Sequence, residues 1–138
     1  MFDEVNKYKN NGHFFYEKGM NLKELSRDVP NLPGVYYILR LAEDKVSLVY
    51  IGKSGTILNN GKFKEQGLNG RLNNKQESMK REDFFNKKCE DENIDALDIY
   101  WFVTVDKENN DLPGFVEGTL IQRFYEVHGK LPEWNKEY

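Results

Sequence analysis

Apolar residues along this chain fall into short runs with distinct periods, and each period predicts an element. Residues 34–41 (Gly-Val-Tyr-Tyr-Ile-Leu-Arg-Leu) and 47–52 (Ser-Leu-Val-Tyr-Ile-Gly) are β-branched and aromatic, and the charged stretch Ala42-Glu43-Asp44-Lys45-Val46 parts them. That is the pattern of a β-hairpin. Residues 97–105 (Leu-Asp-Ile-Tyr-Trp-Phe-Val-Thr-Val) predict a third strand. Asn21 can cap a helix through Val29, with Leu22, Leu25 and Val29 on one side, before Pro30 and Pro33 force an extended chain. Leu68 and Leu72 lie four apart in a helix over 68–78, and Phe84, Phe85 and Lys88 share a flank of another over 82–92. Pro113 suits a first helical position; Val116, Leu120, Phe124 and Val127 follow at helical spacing through His128, and Gly129 ends the run. Residues 1–20 show weak periodicity and predict an irregular arm or short helix. Residues 53–67, rich in Gly, Asn and Lys, predict a loop or small hairpin. The expectation is a single α/β (α+β) domain over 1–138, a small three-stranded antiparallel sheet flanked by helices, with an N-terminal arm or helix at 1–32 and the core at 33–135.

Composition narrows the class. With 138 residues, 38% hydrophobic and 14% aromatic, the chain can build a modest core, while a mean hydropathy of -0.78 calls for a well-solvated surface. No run approaches the ~20 apolar residues of a membrane span, and the N-terminus lacks the basic-then-apolar order of a signal peptide. The expected compartment is cytoplasmic. The single cysteine, Cys89, excludes an internal disulfide and a cysteine-based zinc cage. The net charge of -3 hides a segregation. Residues 1–52 carry seven basic and seven acidic side chains, residues 53–88 nine basic and four acidic, and residues 89–138 four basic and twelve acidic. A basic middle segment can meet phosphates while the acidic remainder keeps the protein dispersed.

Candidate chemistry concentrates on the hairpin, in Gly34-Val35-Tyr36 and Tyr50-Ile51-Gly52. Tyr36 and Tyr37 must point to opposite faces, and Tyr50 falls near Tyr36 when the hairpin is in register. Gly34 and Gly52 bracket the same end, where a missing Cβ permits a bulge or a close backbone approach. Further along come Arg71 in Gly70-Arg71-Leu72, Glu117 one turn into the helix after the third strand, and Asn135 in Pro132-Glu133-Trp134-Asn135. On these residues, over roughly 33–135, the chain resembles the GIY-YIG nuclease family. It departs from that family in Val35 for isoleucine, in a longer interval from Gly52 to Arg71, and in Lys75 where some members carry a histidine.

The resemblance implies a metal-dependent endonuclease that hydrolyses DNA phosphodiesters with one Mg²⁺ or Mn²⁺ at Glu117, since hard cations tolerate one carboxylate plus waters and substrate oxygens. Tyr36 would be the general base, its phenol made more acidic by Lys53, Arg71 or the metal. Tyr50 would orient the water or the scissile phosphate. Arg71 would offer its donor fork to phosphoryl oxygens, Lys53 would touch phosphate, and Asn135 would hold the geometry. Nucleic acid, most simply double-stranded DNA, would meet Lys53, Lys62, Lys64, Arg71 and Lys75. The alternative is a non-catalytic nucleic-acid-binding module or a subunit of a larger DNA-processing assembly, and a protein partner or a second copy stays open.

Overall fold

The computed structural model describes residues 2–64 and 67–138, so positions 65 and 66 of the predicted 53–67 loop lie outside the described residues. A 3-10 turn at Asp3–Val5 leads to β1 (Asn11–Tyr16), α1 (Leu22–Leu25), β2 (Gly34–Ala42), β3 (Lys45–Ser54) and α2 (Leu68–Leu72). A short hairpin of β4 (Lys75–Gln76) and β5 (Met79–Lys80) follows, then α3 (Arg81–Asp91), β6 (Ala96–Val103) and α4 (Pro113–His128). The class is α+β, as the periods predict, but the main sheet has four antiparallel strands rather than three, in the order β1-β6-β2-β3.

The added strand is β1, in the region expected to be an arm. Three consecutive aromatics, Phe14, Phe15 and Tyr16, mask the period of two. Once β1 pairs with β6, Tyr16 is buried and Phe14 half-buried against one core cluster, and Phe15 is left largely exposed. The central hairpin matches its prediction closely. Glu43 and Asp44, both with positive φ, form the two-residue turn whose twist suits adjoining strands.

Helices cover both faces of the sheet. On the Tyr36 face, Leu22 of α1, Leu68 and Leu72 of α2, and Phe84, Phe85 and Cys89 of α3 pack in one cluster. On the Tyr37 face, Val116, Leu120 and Ile121 of α4 pack with Val35, Tyr37, Leu39 and Ile51. Pro113 opens α4, and Gly129, left-handed at φ 69°, closes it. The helix expected over 68–78 ends at Leu72 instead. Asn73 turns its amide to Ser26 Oγ and to the Asn69 carbonyl, and Glu77 and Ser78, again with positive φ, turn β4 into β5. The α1 helix is also shorter than its 21–29 prediction, although Asn21 caps it by accepting from Glu24 N–H. Among the described residues no helix is long and apolar enough to cross a membrane.

One edge of the sheet is β3, and the C-terminal segment clips part of it. A bulge opposite Ile38–Leu39 leaves Val49 as the extra residue, and its carbonyl accepts from Trp134 N–H at 2.9 Å. Asn135 completes the clip: its Nδ2 donates to Ile51 O at 2.9 Å, and its Oδ1 accepts from Ile51 N–H at 3.0 Å. An edge strand is otherwise a row of unpaired donors and acceptors.

Candidate active site

Both motif tyrosines project from one face of the hairpin. Tyr36 pairs with Gly52, two residues from Tyr50, so the rings are diagonal neighbours with centroids 5.9 Å apart. Gly52 makes the room, since a Cβ there would lie 2.6 Å from Tyr36 Cζ and 2.8 Å from Tyr50 Cε2. Gly34 meets a different need. A Cβ on it would stand 2.1 Å from the Phe102 carbonyl oxygen and 2.8 Å from Leu68 Cδ1, so it lets β2, β6 and α2 close together.

Tyr50, Lys53, Arg71 and Glu117 line one cleft of about 370 Å³, together with Thr56 and Lys64. The cleft sits along β3, where the two helix layers meet. Arg71 arrives on α2 from the Tyr36 face. Glu117 arrives on α4 from the Tyr37 face, and the Lys53 side chain lies over Gly114 on that helix. The long interval before Arg71 does not displace it, because most of the added chain folds onto itself. Ile57 bridges Phe63, Lys64 N–H donates to Thr56 O at 2.9 Å, and Leu58 N–H to Lys62 O at 2.7 Å. The following helix is then stitched to residues 26–32: Asn31 Oδ1 accepts from Gly67 and Gly70 N–H, and Asn69 Nδ2 donates to the carbonyls of Ser26 and Val29.

Charges inside the cleft are tuned by burial and by each other. Burial pushes the Glu117 carboxyl up, against the pull of Lys53 and Arg71. Tyr50 is pushed up to about 12, first by burial and then by Tyr36, with Arg81 and Arg71 pulling the other way. Tyr50 therefore keeps its proton at neutral pH.

Tyr36 stands elsewhere than expected. It is fully buried and does not line the cleft, and its oxygen accepts from Arg81 Nη1 at 3.0 Å. The cation on its hydroxyl is thus Arg81 rather than Lys53 or Arg71, which act on Glu117 from within the cleft. Asn135 holds Ile51, next to Tyr50, and stays out of the cleft lining. Lys62 is exposed on the 57–63 hairpin and Lys75 is exposed on β4; neither lines the cleft, whereas Lys64 does.

Two residues escape the sequence reading. Arg81 looks like a solvated residue in Lys80-Arg81-Glu82-Asp83, yet it heads the stripe Arg81, Phe84, Phe85, Lys88, Cys89 at spacing i, i+3, i+4, i+7, i+8. Extending the Phe84–Phe85–Lys88 flank one turn backward finds it. Tyr138 reaches back along α4, its hydroxyl 2.6 Å from where a Gly118 Cβ would stand, and burial and the Glu117 charge push its phenol up.

Among the described residues no group of three or more His, Cys, Asp or Glu side chains gathers to hold a metal. The donor set still fits a hard cation. Glu117 supplies one carboxylate, Thr56 shares its cleft, and Mg²⁺ ordinarily keeps several waters and takes phosphate oxygens for the rest. A larger recess of about 630 Å³ lies at the far end of α4, between Phe2, Leu48, Phe124 and Leu131; of the charged residues that line it, Glu4 pairs with Arg123 and Glu133 with Arg40. No protein family, curated protein or solved structure matches the chain.

Proposed function

We propose that this protein is a metal-dependent endonuclease of the GIY-YIG type that hydrolyses DNA phosphodiesters. One observation carries the reading: a tyrosine, a lysine, an arginine and a glutamate from three separate elements converge on one 370 Å³ cleft. The order of those residues along the chain agrees with the motif pattern in the sequence.

Hydrolysis of a phosphodiester needs an oriented water, somewhere for its proton, and positive charge at the phosphoryl oxygens. Arg71 presents planar donors that match two oxygens of one phosphate, and Lys53 adds a point charge from the other wall. Glu117 would hold a Mg²⁺ or Mn²⁺ ion, which when bound neutralises developing phosphoryl charge. Tyr50, protonated and in the cleft, orients the attacking water or the scissile phosphate. Lys64 in the cleft lining and the exposed Lys62 on the adjoining hairpin add positive charge that a duplex backbone would meet. Asn135 keeps β3 in place at Ile51 and acts by positioning.

Plasmid cleavage in Mg²⁺, with and without EDTA, tests the proposal. Wild type should nick or linearise DNA, and EDTA and Glu117→Ala should stop it. Salt-dependent DNA binding with no cleavage by wild type in either metal would replace the enzyme with a binding module.

A further inference from the structure

Arg81 is only 1% exposed, one of the largest fully buried side chains in the protein. Its guanidinium carbon lies 5.8 Å from the Tyr36 ring centroid and 6.0 Å from that of Phe85, and Nη1 donates to the Tyr36 oxygen at 3.0 Å. Among the described residues no carboxylate pairs with it, and its Nε has no hydrogen-bond partner. Buried charges are normally paired, because leaving a cation in an apolar cluster costs several kcal/mol. Methionine or leucine would serve packing better. Of the two phenols its charge reaches, Tyr36 is the one its guanidinium hydrogen-bonds, and Tyr50 keeps its own proton.

Resting on the nuclease reading above, we propose that Arg81 is a positioning residue that holds Tyr36 as the buried proton acceptor of the reaction, reached from the cleft through Tyr50. Arg81 can only donate, so the Tyr36 oxygen must accept from it. Tyr50 is hydrogen-bonded to Tyr36 and retains its own proton, with one flank in the cleft. Other charged or titratable groups of the same region are engaged elsewhere, Tyr16 of β1 by donating to Asn86 Oδ1. Arg71 on α2 acts on Tyr50 and Glu117. Glu82 on α3 is turned to Leu22 N–H, and Cys89, on the same helix, is held protonated by burial. From β6, Tyr36 is paired with Trp101, which does not titrate.

The proton count closes. A water in the cleft gives a proton to the Tyr50 oxygen while Tyr50 gives its own to the Tyr36 phenolate. The hydroxide forms its bond to phosphorus, the bond from phosphorus to the leaving oxygen breaks, and that oxygen takes a proton from solvent. Tyr36 then returns its proton to solvent by the same path through Tyr50.

Plasmid cleavage kinetics of Arg81→Met, Arg81→Lys, Tyr36→Phe and the double variant Arg81→Met/Tyr36→Phe test the pair, with melting curves to show that each variant is folded. Arg81→Met should lower kcat about 10²-fold with KM little changed, and Arg81→Lys should recover most of that loss. Because Arg81 acts through Tyr36, the double variant should cut no more slowly than Tyr36→Phe alone. Losses that multiply in the double variant, or an Arg81→Met protein that cuts as fast as wild type, would overturn the proposal. Should Arg81→Met fail to fold, Arg81→Gln, alone and combined with Tyr36→Phe, decides in its place. A wild-type protein that cuts no DNA would remove the nuclease reading, whereas multiplying losses in an active enzyme would remove only the role of Arg81.

Discussion

Tyr36 and Tyr37 are neighbours in the chain, both are buried in the sheet, and they face opposite worlds. Tyr37 stacks on Tyr100 at 5.1 Å and on Phe102 at 5.8 Å, with Phe2 edge-on at 5.4 Å. Burial, Tyr100 and the Asp98 carboxylate push its phenol up to about 12. Tyr36 meets a lone guanidinium and a second tyrosine. One ring is held among other aromatics, and the other has its hydroxyl held by a cation. The alternation of a strand alone separates them, and what differs is the sign of the charge each ring finds. The cleft draws on both sides, since Tyr50 and Arg71 belong to the Tyr36 face and Glu117 and Lys53 to the Tyr37 face.

The largest expected effect tests whether the Tyr37-side layer contributes chemistry at all. Glu117→Gln should lower DNA cleavage by about 10²-fold or more while raising the melting temperature at neutral pH by a few degrees. The sign follows from burial. The folded carboxyl titrates above its ordinary value, so between that value and the raised one the folded state binds more protons, and stability falls as pH rises through the window. The melting difference between Glu117→Gln and wild type should therefore shrink below the ordinary carboxylate range, near 4.5. A stability gain that is equally large at acid pH would assign the effect to packing.

Tyr36→Phe against Tyr37→Phe probes the comparison directly. Loss of the Tyr36 hydroxyl should cost cleavage about 10²-fold, whereas Tyr37→Phe should stay within about 2-fold, as expected of a group that stays neutral and makes no contact in the cleft. Equal losses would erase the distinction between the two faces. Asn135→Ala comes next. Both its bonds go to Ile51, so thermal or urea unfolding should show a cost of about 1–3 kcal/mol, with kcat falling more than KM rises. The smallest effect belongs to the lysines of the 53–67 segment. Lys62→Ala and Lys64→Ala should each reduce the slope of log binding constant against log salt by about 1, with cleavage at low salt little changed. A fall in kcat at low salt for Lys62→Ala would bring the hairpin into the chemistry.

Much of this architecture was legible in advance. The hairpin, β6 and α4 carry clean periods, and their ends coincide with turn residues, so local pattern and tertiary demand agree. Glu117 and Arg71 fall on the elements expected of them. The first strand was not legible, because Phe14-Phe15-Tyr16 breaks the alternation and only pairing with β6 decides which rings turn inward. The helix over 68–78 stopped early for a similar reason: Asn73 finds better partners for its amide in Ser26 and Asn69, and Ser26 comes from a distant part of the chain. Asn135 carries no signal of its own, since its hydrogen bonds lie with a backbone 84 residues away.

Sequence alone determined the sheet-and-helix class, the opposed faces of Tyr36 and Tyr37, and the clustering of basic residues in the middle of the chain. Each of these follows from local periodicity or from counting. Tertiary structure decided which cation meets which tyrosine. Arg71 and Lys53 went to the cleft and Arg81 went beneath it, because the helix stripe led by Arg81 had to bury Phe84 and Phe85 against the sheet. Charge pairing across the fold depends on three-dimensional proximity, and spacing along one chain does not encode it.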